Sequence, residues 1–139
     1  MKKFLLEDIM CEHPIKVTDD IRVGMVAHLL LRYRINGILV VKKDDENQLV
    51  GILTTTDLLK LLARALSGGK QKLKELETIS DLPVGQVATK HVVTLSQKTK
   101  IVKAIAIMHK KNVHTLPVYE DGKLVGVVGR HDILNAAFS

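Results

Sequence analysis

The chain has 139 residues, 46% of them apolar and 26% charged, which suffices for one ordinary domain with a real core and a soluble surface. That content excludes disorder as the main state, and a single cysteine, Cys11, excludes a disulfide scaffold. The net charge of +6, from 21 basic and 15 acidic residues, favours an anionic partner: nucleotide, nucleic acid, membrane or acidic protein.

The chain opens with Met1-Lys2-Lys3-Phe4-Leu5-Leu6, which begins like a signal peptide until Glu7 and Asp8 cut the apolar run short. No apolar stretch approaches the ~20 residues that span a bilayer, so the chain reads as cytoplasmic with no membrane partner. Pro14-Ile15-Lys16-Val17 is extended. Val23, Val26, Ala27 and Leu30 then fall at i, i+3, i+4 and i+7, one face of an amphipathic helix. A strand follows over Ile38-Leu39-Val40-Val41, a turn over Lys42 to Gln48, a second strand over Leu49-Val50-Gly51-Ile52-Leu53, and a helix that opens at Asp57. Ser67-Gly68-Gly69 marks a helix stop and a flexible joint, and Lys70 to Glu77, charged and helix-compatible, reads as a solvated connecting segment.

The same order then recurs. Val92-Val93-Thr94-Leu95 is extended, and Ile101, Ala104, Ile105 and Met108 repeat the helical stripe 78 positions later. Leu116-Pro117-Val118-Tyr119 repeats the first strand and Leu124-Val125-Gly126-Val127-Val128 the second, with a helix opening at Asp132. Between these strands Asp121-Gly122 is a hairpin signal in a turn three residues shorter than its counterpart, so the offset drops from 78 to 75. Each unit is strand, helix, strand, strand, helix. One such unit of ~60 residues buries too little surface to stand comfortably alone. Two packed about a pseudo-twofold axis would form one α+β domain with two quasi-equivalent clefts.

The repeat resembles the CBS domain, named after cystathionine β-synthase and usually found in pairs. The resemblance covers roughly Leu6 to Ala137. It rests on Asp8-Ile9-Met10 followed by Pro14-Ile15-Lys16-Val17, on Arg34-Ile35-Asn36-Gly37-Ile38-Leu39-Val40-Val41, and on Val50-Gly51-Ile52-Leu53-Thr54-Thr55-Thr56-Asp57. The second copy reads Asn112-Val113-His114-Thr115-Leu116-Pro117-Val118 and Val125-Gly126-Val127-Val128-Gly129-Arg130-His131-Asp132. On this reading residues 1–139 are one CBS-pair module, with repeats at 6–66 and 83–138 and a linker at 67–82. The resemblance implies a regulatory module, not an enzyme. It would bind AMP, ADP, ATP, S-adenosylmethionine or NAD in the cleft between the repeats and signal occupancy to an unidentified regulated protein, as a homodimer.

It also implies site residues. Asp57 and Asp132 stand where strand turns into helix, and the family uses this Asp to accept from ribose hydroxyls; the plain alternative is a helix N-cap. Thr54 stands where the family places a Ser or Thr against ribose or phosphate. Gly129 takes that place in the second repeat and removes the hydroxyl; Arg130 beside it would reach phosphate, as would His114, or else Arg130 and His131 lie on a solvated surface. Asn36, Gly37 and Ile38, with His114, Thr115 and Leu116, imply backbone contacts and apolar walls for adenine, although Ile38 and Leu116 also fit a plain core. Pro14, Ile15, Val92 and Val93 would close the adenine slot. Ala88 replaces the equivalent of Met10 in the second opening segment. Gly51 and its counterpart Gly126 sit inside strands, which calls for close approach of backbone or ligand, or for a β-bulge. Lys98, Lys100, Lys103 and Arg22 either make the cleft rim positive or form a solvated face.

The six histidines are His13, His28, His91, His109, His114 and His131, and no HExxH or close His/Cys pair occurs among them. No P-loop, GxSxG or dinucleotide fingerprint occurs either, so no metal or catalytic centre is expected. Two rival readings remain: a protein-interaction or dimerisation module with empty clefts, and a nucleic-acid binder using the positive charge. The second has only four aromatic residues with which to stack bases. The helix after Asp57 is apolar around much of its circumference, with Lys60 and Arg64 as its polar stripe, and the helix after Asp132 ends in Ala136-Ala137-Phe138. Both therefore suggest a homodimer face.

Overall fold

A computed structural model describes residues 4–67 and 72–139. Gly68, Gly69, Lys70 and Gln71 of the expected joint and linker, and Met1 to Lys3 of the leader, lie outside the described residues. The chain divides into two compact units, residues 15–91 and residues 1–14 with 92–139. Each is an α+β unit built on a three-stranded mixed sheet.

In the unit of residues 15–91, β1 (Lys16–Thr18) pairs parallel with β2 (Gly37–Lys42), which pairs antiparallel with β3 (Asp45–Thr54). Helix α2 (Val23–Tyr33) connects β1 to β2, the crossover that parallel neighbours require. Val23, Val26 and Leu30 of its expected stripe are buried, while Ala27 is half-buried. The first strand begins two residues later than expected and runs on to Thr18, because the ladder with Leu39, Val40 and Val41 starts at Lys16. Most of the expected turn is strand, since β3 begins at Asp45 and pairs with Lys42.

Helix α3 (Thr55–Leu66) follows β3 directly and starts two residues before the expected Asp57. The connecting segment is helical, as its composition allows, but it is not merely solvated. Over α4 (Lys72–Asp81) it forms a helix that packs against α2 and α3, with Leu76 and Ile79 half-buried at i, i+3. The short α5 (Val84–Val87) completes the core, which gathers Val17, Val26, Leu30, Ile38, Val40, Leu53, Val84 and Ala88.

The other unit repeats this plan. α1 (Leu6–Ile9) plays the part of α5, β4 (Leu95–Ser96) that of β1, and α6 (Ile101–Lys111) that of α2. β5 (Thr115–Glu120), β6 (Lys123–Gly129) and α7 (Arg130–Phe138) complete it. Val92 to Thr94 are not strand, and only Leu95 and Ser96 pair with Val118 and Tyr119. The Asp121-Gly122 hairpin forms as its sequence indicates, with φ of 51° and 75° at the two central positions. The core collects Leu6, Ile101, Ala104, Leu116, Val118, Val128 and Ile133.

The leaders are therefore exchanged: residues ahead of the first repeat complete the second, and residues ahead of the second complete the first. Backbone hydrogen bonds show the equivalence. Leu6 donates its N–H to Thr99 O at 2.8 Å and Glu7 to Gln97 O at 3.0 Å; 78 positions on, Val84 donates to Ile21 O at 2.7 Å and Gly85 to Asp19 O at 3.0 Å. Each leader then bonds reciprocally to the last strand of its unit. Ile52 donates to Thr89 O at 3.0 Å and Thr89 to Ile52 O at 2.8 Å; Cys11 donates to Val127 O at 2.9 Å and Val127 to Cys11 O at 3.0 Å.

The two strand glycines make room for this. A Cβ on Gly51 would overlap the Thr89 carbonyl oxygen, and one on Gly126 would lie 2.8 Å from Cys11 O. Bulges also occur beside them, where the pairing slips between Val40 and Val41 and between Val118 and Tyr119, so both readings of these glycines hold. Gly51→Ala is expected to cost about 1–3 kcal/mol in urea unfolding, because backbone has to yield. Gly129→Ala, whose Cβ would meet nothing nearer than 3.7 Å, should cost less in the same measurement, about 0.5–1 kcal/mol from the poorer start it gives the following helix.

Candidate functional site

The strand-to-helix junctions are built by one device. A carboxylate at the third helical position accepts from the backbone N–H of the N-cap residue, satisfying a donor at the helix start. Asp57 Oδ2 accepts from Thr54 N–H at 2.9 Å, and Asp132 Oδ2 accepts from Gly129 N–H at 2.8 Å. Asp8 does the same for Leu5 at 2.8 Å in α1. Neither Asp57 nor Asp132 is the N-cap that the plain alternative foresaw; Thr54 and Gly129 are. Only Thr54 completes the capping box, its hydroxyl accepting from Asp57 N–H at 3.1 Å. At Gly129 there is no side chain to return the bond.

In the unit of residues 15–91 the junction brings Asn36, Gly37, Thr54 and Asp57 together. Asn36 O accepts from Thr55 N–H at 2.9 Å, and Gly37 pairs with Thr54 across the sheet. Thr54 and Asp57 are half-buried, so both are fixed yet reachable by solvent. Ile38 is core. Gly51 is buried, and the space above its Cα is taken by Thr89 rather than left for a ligand. Ile15 is exposed at the start of the unit.

In the other unit the junction gathers His114, Thr115, Gly129, Arg130 and Asp132. His114 O accepts from Arg130 N–H at 3.1 Å, and Thr115 pairs with Gly129. The side chains of His114, Arg130 and His131 are exposed, whereas Leu116 is core. Pro14 and Val92 are half-buried, and Val93 packs against the core cluster of this unit.

The expected basic rim is reduced by pairing. Lys98 Nζ donates to Glu7 Oε1 at 2.8 Å, and this hydrogen bond and charge hold the ammonium above its ordinary pKa. Arg22 lies 3.7 Å from Asp81. Lys100 and Lys103 are exposed at the start of α6. No group of three His, Cys, Asp or Glu among the described residues is placed to hold a metal ion. Among those residues no helix is long and apolar enough to cross a membrane.

One residue absent from the sequence-based site is Thr89, whose hydroxyl lies 3.4 Å from both carboxylate oxygens of Asp57. The sequence carried a signal for it. Thr89 stands 78 positions after Cys11 in the repeated leader, but nothing in the sequence places that leader against the opposite repeat.

The CBS domain signature matches residues 6–64 and 84–139. The chain belongs to the CBS-domain family, as a pair of such domains. It is 28% identical over 130 residues to an uncharacterised protein of Methanocaldococcus jannaschii, covering 93% of this chain and 64% of that protein. It also matches inosine-5′-monophosphate dehydrogenase of Bacillus subtilis, of which it spans 22%. The chain thus spans less than two thirds of these relatives. Among solved structures it resembles the CBS domain pair of protein MJ0100 in complex with 5′-methylthioadenosine and S-adenosyl-L-methionine, with a TM-score of 0.77 and 25% identity over 96% of this chain and 95% of that one. It likewise resembles CBSX2 in complex with AMP, with a TM-score of 0.77 and 26% identity over 96% of each chain.

The two junctions should respond differently to substitution. Thr54→Ala removes a capping oxygen and is expected to lower stability by about 1 kcal/mol. Gly129→Ser supplies one where φ is an ordinary −102° and should raise stability by a few tenths of a kcal/mol, about 0.3, in thermal unfolding.

Proposed function

We infer that the chain is a regulatory module that binds an adenosine-containing ligand at the Thr54–Asp57 junction and passes occupancy to a partner protein, without catalysis of its own. The observation that carries this reading is the state of the Asp57 carboxylate. Oδ2 is anchored by Thr54 N–H, while among the described residues Oδ1 has only the long contact with Thr89, at a half-buried place. An oriented anion with acceptor capacity to spare suits a sugar hydroxyl, since a carboxylate offers about four lone-pair directions. The AMP complex of CBSX2 and the methylthioadenosine and S-adenosylmethionine complex of protein MJ0100 support the ligand class. AMP, ADP, ATP, NAD and S-adenosylmethionine form the panel to test.

Occupancy can signal only if the ligand has different affinity for two arrangements of the protein. A homodimer would supply such arrangements. Leu59 is 66% exposed, and Leu62 and Leu66 are also uncovered on α3. On α7, Leu134 and the 84% exposed Phe138 are uncovered. The interaction-module reading is favoured for the second repeat, where Gly129 provides no hydroxyl.

Calorimetry with the ligand panel tests the site. Asp57→Asn keeps an oxygen to accept from Thr54 N–H but loses the charge, and should weaken binding about tenfold or more while the fold persists. Asp132→Asn should weaken it less; equal loss in both variants, or none in Asp57→Asn, would refute the assignment to the first repeat. Light scattering tests the dimer. The wild type should show twice the monomer mass at micromolar concentration and Leu59→Asp a shift toward monomer, whereas a strictly monomeric wild type removes the idea.

A further inference from the structure

Thr89 is brought to Asp57 by the way its backbone is anchored on β3. It is held by the reciprocal hydrogen bonds with Ile52, at 3.0 and 2.8 Å, and its carbonyl lies in the space Gly51 leaves. From that anchor Oγ1 stands 3.4 Å from Oδ1 and 3.4 Å from Oδ2 of Asp57. A strong O–H···O bond is shorter, about 2.5–3.0 Å. The hydroxyl therefore sits beside the carboxylate without taking either oxygen fully.

The hydrogen-bond inventory at this point is unequal. Asp57 Oδ2 is engaged with Thr54 N–H, which leaves Oδ1 as the freer carboxylate acceptor. A threonine hydroxyl has one hydrogen and two lone pairs. With its hydrogen drawn toward the anion, its lone pairs remain available on an exposed residue. Two acceptors, Asp57 Oδ1 and Thr89 Oγ1, thus lie side by side. A vicinal diol presents two adjacent O–H donors, which is the matching pattern.

We propose that Thr89 and Asp57 together receive the cis-diol of a ribose, Thr89 accepting from one hydroxyl and Asp57 from the other, so that Thr89 determines specificity for ribo- over deoxyribonucleosides. The proposal rests on the adenosine reading above for its ligand class and goes beyond it in assigning Thr89. It also separates the two repeats. Cys11 occupies the place of Thr89 in the other unit, held by the same reciprocal backbone bonds to Val127. A thiol is a weak acceptor, so the Asp132 junction lacks the second member of the pair.

The test is equilibrium binding of AMP, 2′-deoxy-AMP and 3′-deoxy-AMP to the full chain, in the wild type and in Thr89→Ala, Thr89→Val and Thr89→Ser, with thermal unfolding of each variant as the check on folding. The wild type should prefer AMP over the weaker-binding deoxy form by about tenfold. Thr89→Ala and Thr89→Val should shrink that ratio to about twofold or less, and Thr89→Ser should keep it. A folded Thr89→Ala with the wild-type ratio, or a Thr89→Ser that loses the ratio as fully as Thr89→Ala, would overturn the role of Thr89. Equal binding of all three nucleotides by the wild type overturns the diol reading and leaves adenosine binding standing. Binding of none of the three, with no binding across the wider adenosine panel, removes the adenosine reading itself and this proposal with it.

Discussion

Each unit depends on a two-bond contact between a leader and a strand. Ile52 with Thr89, and Cys11 with Val127, exchange N–H and C=O groups in isolated bridges beyond the regular sheets. Buried backbone groups must find partners, and here the partner comes from the leader of the other repeat. Gly51 and Gly126 are what let the chains come so close, since a methyl group on either would collide with backbone. The contact fixes Leu6 and Val84, both fully buried, at equivalent places in the two cores.

The same contact shapes the candidate site. In the unit of residues 15–91 it carries the Thr89 hydroxyl to Asp57, whose carboxylate is already committed to the start of α3. A side chain that closes a helix end is also the side chain most rigidly aimed, because its hydrogen bond to the N-cap backbone fixes its rotamer. A capping role for Asp57 does not exclude the proposed ligand role: one oxygen serves the helix, and the other would be left to solvent or ligand. This is why the spacing of Thr54 and Asp57 alone could not decide between them.

The two units share this framework and differ in its chemistry. Thr54, Thr89 and Asp57 form a polar trio in one; Gly129, Cys11 and Asp132 hold the corresponding places in the other. Backbone geometry tolerates both sets, as the matched bridges and the 2.9 and 2.8 Å carboxylate bonds show. The frame is the same in both units, while different side chains leave the halves unequal in hydrogen-bonding capacity. The exposed apolar residues of α3 and α7 give each half an additional surface that no described part of its own unit covers.

The sequence by itself determined the duplication, the order of elements within each repeat, the helical stripes and the Asp121-Gly122 hairpin. These rest on local periodicity and on backbone preferences that act between near neighbours. It also located Asp57, Asp132, Thr54 and Gly129 at strand-to-helix junctions, since the motif spacing spans a single turn. Tertiary structure alone decided which leader completes which repeat, that Lys72–Asp81 packs as a helix on α2 and α3, and that Thr89 meets Asp57 across 32 residues of chain. Such contacts are set by which apolar faces and unpaired backbone groups satisfy one another in space. No period or short-range spacing in the sequence encodes that.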